Sequence, residues 1–173
     1  MDWQAFEILD EIKSVYDKKN IYGKIAQKLL VITFERLHFT VEPHEIEGLD
    51  IRAVKGTEKY ALEVKTTEKV EGSFTLGEKD IKWIPEMQKQ GYKTGYAVLL
   101  HISTENWIVG SSHGMKAGTN SVPKLRSQSF AHLENEINVM FDNVVKEIGK
   151  KLLEEKSVSP LQWLEKFRSK KHD

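Results

Sequence analysis

Three charged residues, Asp50, Glu63 and Lys65, have the types and the spacing that phosphodiester chemistry requires. Two carboxylates supply the oxygen ligands that Mg²⁺ or Mn²⁺ accepts, and an ammonium group offsets negative charge on a phosphate. The spacing is Asp, twelve residues, Glu, one residue, Lys. If a hairpin aligns the two acids, the set could hold a divalent cation and direct a water at a phosphodiester bond.

The residues between the acids predict such a hairpin. Leu49–Val54 reads as an apolar strand, residues 55–58 (Lys-Gly-Thr-Glu) as a turn, and Tyr60–Val64 as a second strand. Because side chains alternate between the two faces of a strand, Glu63 and Lys65 lie on the same side. The same acids on a solvated surface hairpin would be ordinary paired charges, which is the alternative to a catalytic site.

The rest of the chain predicts elements that would surround this hairpin. The hydrophobic spacing indicates helices before it, a buried strand after it, and helices again toward the C-terminus. The fold class is therefore α/β, with a mixed sheet flanked by helices and a C-terminal helical extension. We expect residues 1–123 to form the α/β core with its N-terminal helices, and residues 124–173 to form the extension. The predicted helices cover residues 3–18, 22–37, 78–90 (broken at Pro85), 129–152 and 159 onward; further strands cover 39–41, 94–101 and 106–109; loops cover 66–77 and 111–121.

Composition bounds the class of protein. The chain has 173 residues, equal numbers of basic and acidic residues (26 each) and no cysteine. Disulfides, thiolate metal sites and cysteine nucleophiles are thereby excluded, and a reducing, cytoplasmic compartment is expected. No apolar stretch is long enough to span a membrane, so no membrane association is expected. Charge neutrality gives no basic footprint for nucleic acid, although basic side chains could still line one face.

Four segments together resemble the PD-(D/E)xK nuclease superfamily, whose members have a restriction-endonuclease-like fold. Within that superfamily, the sequence is most similar to archaeal Holliday junction resolvases. The similarity covers roughly residues 20–110. The segments are Gly23–Leu30, His38–Val41, Gly48–Ile51 and Leu62–Lys65.

The resemblance implies a role for each residue of the set. Asp50 and Glu63 would bind Mg²⁺ or Mn²⁺, and the carbonyl of Val64 would complete the protein ligands. Lys65 would orient or activate the attacking water and offset charge in the transition state. The implied activity is metal-dependent hydrolysis of DNA, with branched or repair-intermediate DNA as the substrate class.

Two residues depart from the pattern of that superfamily. Leu49 stands before Asp50 where the motif has proline, which is a small change. Gln27 stands where many members carry a glutamate that reaches the metal. Its amide oxygen makes it a further candidate ligand, but it supplies no negative charge. The alternative function is therefore a catalytically degenerate nucleic-acid-binding or assembly module that keeps the nuclease fold.

Partner contacts are predicted at two places. Near the hairpin, the candidate nucleic-acid-binding residues are Lys24, Thr66, Thr67 and Lys69, with a solvated loop as the alternative for residues 66–69. In the C-terminal extension, an apolar stripe at helical spacing is either core or the surface of a homodimer. A protein-interaction domain that uses these C-terminal helices is a third reading of the chain. The stripe comprises Phe130, Leu133, Ile137, Phe141, Val144, Ile148 and Leu152.

Overall fold

A mixed five-stranded sheet, in the order β1-β2-β3-β5-β6, carries the candidate site. Strands β2 and β3 form the predicted hairpin, and β3 pairs in parallel with β5, while the remaining pairs are antiparallel. The structure is a computed structural model that describes residues 1–16, 21–43, 45–67, 72–100, 107–156 and 158–169. The strands are β1 (Thr40–Val41), β2 (Ile51–Lys55), β3 (Glu58–Thr67), β4 (Ser73–Leu76), β5 (Lys93–Leu100), β6 (Trp107–Ser111) and β7 (Gly118–Ser121).

Helices cover both faces of this sheet. On one face, residues of α1, α2, α6 and α8 join the sheet in a single hydrophobic cluster. On the other, α5 and the two-stranded β4–β7 sheet pack on β5 and β6, while α4 packs beside β3. The helices are α1 (Trp3–Tyr16), α2 (Ile21–Arg36), α3 (Lys79–Lys82), α4 (Ile84–Lys89), α5 (Val122–Arg126), α6 (Ala131–Val144), a π-helical turn (Val145–Gly149), α7 (Lys150–Glu154) and α8 (Pro160–Ser169).

Burial on both faces explains why β5 is apolar along nearly its whole length. Ala97 and Leu99 point into the cluster with α2 and α6, whereas Tyr96 and Val98 point into the cluster with β4 and α5. A parallel strand covered by helices on both sides has no polar face to present to water. The predicted α/β class, with a mixed sheet flanked by helices and a helical C-terminal extension, is confirmed.

The apolar stripe of the C-terminal extension is core. Six of its seven side chains are at most 3% exposed, and the seventh, Phe130, packs against the same cluster. These residues contact α1, α2 and β6 within one chain, so they are not available as the homodimer surface that was the other interpretation.

Several elements differ from the sequence prediction. The predicted loops 66–77 and 111–121 contain β4 and β7, which pair with each other, and α5 directly follows β7. These short strands pair across more than forty residues, and no local pattern reports such a partner. The predicted break at Pro85 is confirmed, since α3 ends at Lys82 and α4 begins at Ile84. The ends predicted at His101 and Asn106 lie outside the described residues.

No helix in the described part of the chain is long and apolar enough to cross a membrane.

Candidate active site

Asp50 lies immediately before β2, where the chain has just turned. Its backbone N–H donates to the Leu62 carbonyl at 3.1 Å, which extends the β2–β3 pairing by one residue. Its Oδ2 accepts the Val64 N–H at 2.8 Å, and its Oδ1 accepts Nε2 of Gln27 at 2.9 Å. The Val64 N–H and the Gln27 amide therefore hold the Asp50 carboxylate beside β3.

Glu63 stands across the hairpin from Asp50, because Ile51 pairs with Leu62. The residue is only 5% exposed; its Oε1 accepts Nζ of Lys65 at 2.6 Å, and its Oε2 has no hydrogen-bond partner among the residues that the structure describes. Burial, followed by the nearby negative charge of Asp50, raises the pKa of Glu63 to about 8. Glu63 is buried, has an oxygen without a described partner and lies beside a second carboxylate. A positive charge placed between the two acids would therefore be stabilised.

Lys65 lies on the same face of β3 as Glu63, as the strand alternation predicts. Its ammonium group bridges two acids, Oε1 of Glu63 at 2.6 Å and Oδ2 of Asp80 at 2.8 Å. Burial alone would lower the pKa of Lys65, but the hydrogen bonds to Asp80 and Glu63 outweigh it and raise the pKa. Lys65 is therefore a fixed cation next to the two hairpin acids.

Asp80, in α3, is the member of the site that the sequence analysis missed. It is 2% exposed, and its Oδ2 accepts the Gly77 N–H at 2.8 Å in addition to the Lys65 ammonium. Burial would raise its pKa, but the bonds from Lys65 and Gly77 outweigh burial and lower it. In the sequence, Asp80 resembles any acid in the first turn of a helix, and no local signal separates it from a solvated one.

The donor set suits a small divalent cation that keeps several of its waters. Within the described residues, no group of three His, Cys, Asp or Glu side chains is placed to hold a metal ion. Asp50 and Glu63 supply two carboxylates, one with an unpartnered oxygen. The N–H and C=O of a strand residue point to the same edge, so the Val64 carbonyl is directed toward Asp50, which accepts the Val64 N–H. Two carboxylates, a carbonyl and water are ligands that Mg²⁺ accepts.

Gln27 lies close to the site, but its amide forms a hydrogen bond with the Asp50 side chain and does not direct a free oxygen at the two acids. Its amide NH₂ group donates to Asp50 from the first half of α2. This contact orients the first acid of the hairpin. A direct role for Gln27 as a metal ligand stays a prediction.

The candidate nucleic-acid-binding residues differ in how exposed their side chains are. Lys24 and Thr66 are exposed, and α2 meets β3 there, since a Cβ on Gly23 would lie 3.5 Å from Oγ1 of Thr66. Thr67 is buried, and its hydroxyl donates to the Ser73 carbonyl at 2.9 Å. Lys69 lies outside the described residues.

The turn before Asp50 depends on a glycine. Gly48 has φ of +80°, and a Cβ at this position would lie 2.1 Å from the Lys79 carbonyl oxygen. We expect Gly48→Ala to lower the free energy of unfolding by at least about 3 kcal/mol, because it adds a backbone clash to left-handed strain. Gly91 is the matched control, with φ of +81° and open space around its Cβ direction. Gly91→Ala should cost only about 1–2 kcal/mol. Urea denaturation measures both, and equal losses would contradict the close packing.

The pKa of Glu63 predicts how stability depends on pH. The folded protein holds this proton up to about pH 8, whereas an unfolded glutamate, with its ordinary value of 4.5, releases it earlier. Stability from the protonated group is therefore complete below the ordinary value and is lost as the pH rises through about 8. We expect the metal-free protein to lose at most about 1.4 kcal/mol per pH unit across this window. Thermal melts should show the decline in the parent and a flatter profile in Glu63→Gln; parallel declines would contradict the assignment.

Comparison with known proteins gives one kind of match. No protein-family model matches the sequence, and no curated protein matches it. Among solved structures, the chain is similar to Hjc, a Holliday junction resolvase from the archaeal hyperthermophile Archaeoglobus fulgidus. The match has a TM-score of 0.52 at 15% sequence identity and covers 65% of this chain and 95% of the resolvase. The chain has a resolvase-like nuclease fold.

At this level of identity, the likeness is one of fold. It spans nearly the whole resolvase chain, and the remainder of this chain lies outside the match. A shared fold hosts many functions, so activity has to be argued from the side chains at the site.

Proposed function

We propose that this protein is a divalent-metal-dependent endonuclease that hydrolyses phosphodiester bonds in DNA, with branched or repair-intermediate DNA as its substrate class. The observation that carries the proposal is the convergence of Asp50, Glu63 and Lys65 at one end of the β2–β3 hairpin. The resolvase-like fold makes a nuclease the expected use of such a set.

Each residue has a role that its contacts support. Asp50 and Glu63 would bind Mg²⁺ or Mn²⁺ with their carboxylates, and Val64 would add its carbonyl. When bound, such an ion polarises a phosphoryl oxygen and lowers the pKa of water. Lys65 holds its ammonium beside Glu63, where it can orient the attacking water and offset the charge that develops on the phosphate. Exposed Lys24 and Thr66 flank this end of the hairpin and would contact the DNA backbone.

The test is a cleavage assay on four substrates of matched sequence: a four-way junction, a flap, a linear duplex and a single strand. Each is incubated with Mg²⁺, Mn²⁺, Ca²⁺ or EDTA. We expect cleavage with Mg²⁺ or Mn²⁺, none with EDTA, and preference for a branched substrate. If none of the four substrates is cut with either Mg²⁺ or Mn²⁺, the proposal is wrong.

The second candidate is a nucleic-acid-binding or assembly module that kept the fold without catalysis. The observation that favours it is Gln27, a neutral amide that donates to Asp50 and adds no negative charge. This module would bind DNA with an affinity that falls with salt and does not respond to Mg²⁺. Calorimetric Mn²⁺ binding that disappears in Asp50→Ala would count against it. Homodimer formation and cytoplasmic localisation stay predictions from the sequence.

A further inference from the structure

Asp80 has an environment that the proposed roles of the hairpin residues do not explain. It is nearly as buried as any residue in the core, yet it carries a charge and lies in α3, outside the hairpin. Its Oδ2 accepts two donors, Lys65 Nζ and the Gly77 N–H, each at 2.8 Å. Its Oδ1 is buried and has no hydrogen-bond partner within the described part of the chain. Burying a charged carboxylate costs free energy unless the charge is paired, and the side chain that pairs with Asp80 is Lys65.

The backbone that carries Asp80 is fixed on three sides. Its N–H donates to the Gly77 carbonyl at 3.1 Å, and its own carbonyl accepts the hydroxyl of fully buried Tyr96 at 3.3 Å. The turn before Asp50 packs against it, because a Cβ on Gly48 would lie 3.0 Å from the Asp80 Cα. On this fixed backbone, the carboxylate is held by the Gly77 N–H in contact with the Lys65 ammonium.

A lysine side chain needs a fixed partner of this kind if its ammonium group is to stay at a defined position. Its four-carbon stem is flexible, and its ammonium is a compact charge without the fixed geometry of a guanidinium. Glu63 also contacts this ammonium, but under the proposed function Glu63 shares its oxygens with a divalent cation. Asp80 is outside the set of residues proposed to bind the cation, so it can hold Lys65 while Glu63 is engaged elsewhere.

We propose that Asp80 is a positioning residue that holds the Lys65 ammonium at the reacting phosphate, an inference that rests on the proposed function. It acts through Lys65 and binds neither the metal nor the DNA. Removing its charge should therefore affect turnover and the freedom of Lys65, and leave the affinity for metal and for DNA unchanged.

The first test compares Asp80→Asn with Asp142→Asn. Asp142 is the matched control, since it is a partly buried acid in α6 that also accepts a backbone N–H, from Asp2 at 2.9 Å. We expect Asp80→Asn to lower kcat about 30- to 100-fold, as a misplaced group does, with KM and the Kd for Mn²⁺ within about threefold of the parent. Asp142→Asn should cleave as the parent does. An unchanged kcat in Asp80→Asn, or a kcat loss accompanied by weaker Mn²⁺ binding of about tenfold or more, would overturn the assignment.

The second test reads Lys65 directly and needs neither DNA nor metal. Acetic anhydride is added to the folded protein, and the acetylation rates of Lys65 and Lys59 are followed by mass spectrometry. We expect Lys65 to react about fivefold faster in Asp80→Asn, because its amino group loses one of the two acids that hold it and becomes more accessible to the reagent, while Lys59 reacts at the parental rate. An unchanged Lys65 rate overturns the inference. Because this readout does not use cleavage, it decides whether Asp80 holds Lys65 even if the parent cuts no DNA, a result that would overturn the proposed function and with it the part of the proposal that concerns the phosphate.

A third variant keeps the inference testable if Asp80→Asn folds poorly. The double variant Asp80→Asn with Lys65→Met removes both members of the Asp80–Lys65 pair, so neither charge of this pair is left buried without the other. It should cleave at the rate of Lys65→Met alone, because Asp80 acts only through Lys65. A further loss of about tenfold in the double variant would show an independent role and contradict the proposal.

Discussion

The Asp50→Asn variant should lose at least about a thousandfold in Mg²⁺-dependent cleavage, since removing several kcal/mol of metal-derived stabilisation has this effect on a rate. Asparagine keeps the size of the side chain and one oxygen that can accept the Val64 N–H, so the β2–β3 hairpin is retained. What it removes is the negative charge that faces Glu63 across the hairpin. Single-turnover cleavage of a labelled junction, with enzyme in excess, measures the loss.

The stability of Asp50→Asn separates a chemical role from a structural one. The charge of Asp50 helps to raise the pKa of Glu63, so removing that charge relieves repulsion between half-buried Asp50 and buried Glu63. We expect the metal-free variant to melt at or above the parental temperature. Addition of Mn²⁺ should raise the melting temperature of the parent and leave that of the variant unchanged. A variant that melts well below the parent, or one that still cuts at the parental rate, would contradict the assignment of Asp50.

The second large effect is expected for Lys65→Met, which should lower kcat about 100- to 1,000-fold while the Kd for Mn²⁺ changes little. Methionine fills much of the same space without the cation that lies between Glu63 and Asp80. Lys59→Met is the matched control, because Lys59 lies on the same strand and the same face, six residues before Lys65. Cleavage by the Lys59 variant should match the parent within about twofold.

Lys65→Met should also destabilise the fold, and the way this loss of stability depends on pH follows from the pKa of Asp80. The lowered pKa of Asp80 adds stability above its ordinary value of 3.8, and Lys65 supplies much of that lowering. Without the cation, the buried Asp80 carboxylate loses its charge partner, and we expect a loss of about 1–3 kcal/mol at neutral pH that shrinks in acid. Cleavage is therefore compared at a temperature where both proteins are folded. Equal losses of activity in the Lys65 and Lys59 variants would show that a general loss of charge, and not this cation, is responsible.

The local part of the candidate site could be predicted from the sequence. The alternation of side chains along β3 places Glu63 and Lys65 on one face, and the Gly56 turn sets a register that brings Asp50 opposite Glu63. Both relations depend on neighbours within one hairpin, so eighteen consecutive residues, 48–65, contain the needed information.

Asp80 and the pairing of β4 with β7 could not be predicted in this way. Asp80 reaches Lys65 because α3 packs against the Gly48 turn, and that contact depends on how two separate segments lie on the sheet. The β4–β7 pair joins residues 73–76 to residues 118–121; β4 is only four residues long, and β7 contains no apolar side chain. The pattern of a single segment reports which face of it is buried, but not which distant segment covers that face.

The contact between Gln27 and Asp50 is an intermediate case. The resemblance to nucleases located Gln27 near the metal side of the hairpin, and the structure places its amide 2.9 Å from the Asp50 carboxylate. The direction of that amide was not predictable, because an NH₂ group and an oxygen occupy the two ends of the same side chain. As a donor to Asp50, Gln27 orients the first acid of the hairpin.

The central claim is that Asp50 and Glu63 together hold a divalent cation. A crystal of the parent protein soaked in Mn²⁺, with diffraction data collected at the manganese absorption edge, tests this most directly. We expect one strong anomalous peak between the two carboxylates, about 2 Å from an oxygen of each and within reach of the Val64 carbonyl. An anomalous map that is empty between Asp50 and Glu63, while Mn²⁺ binds elsewhere on the same molecule, would contradict it.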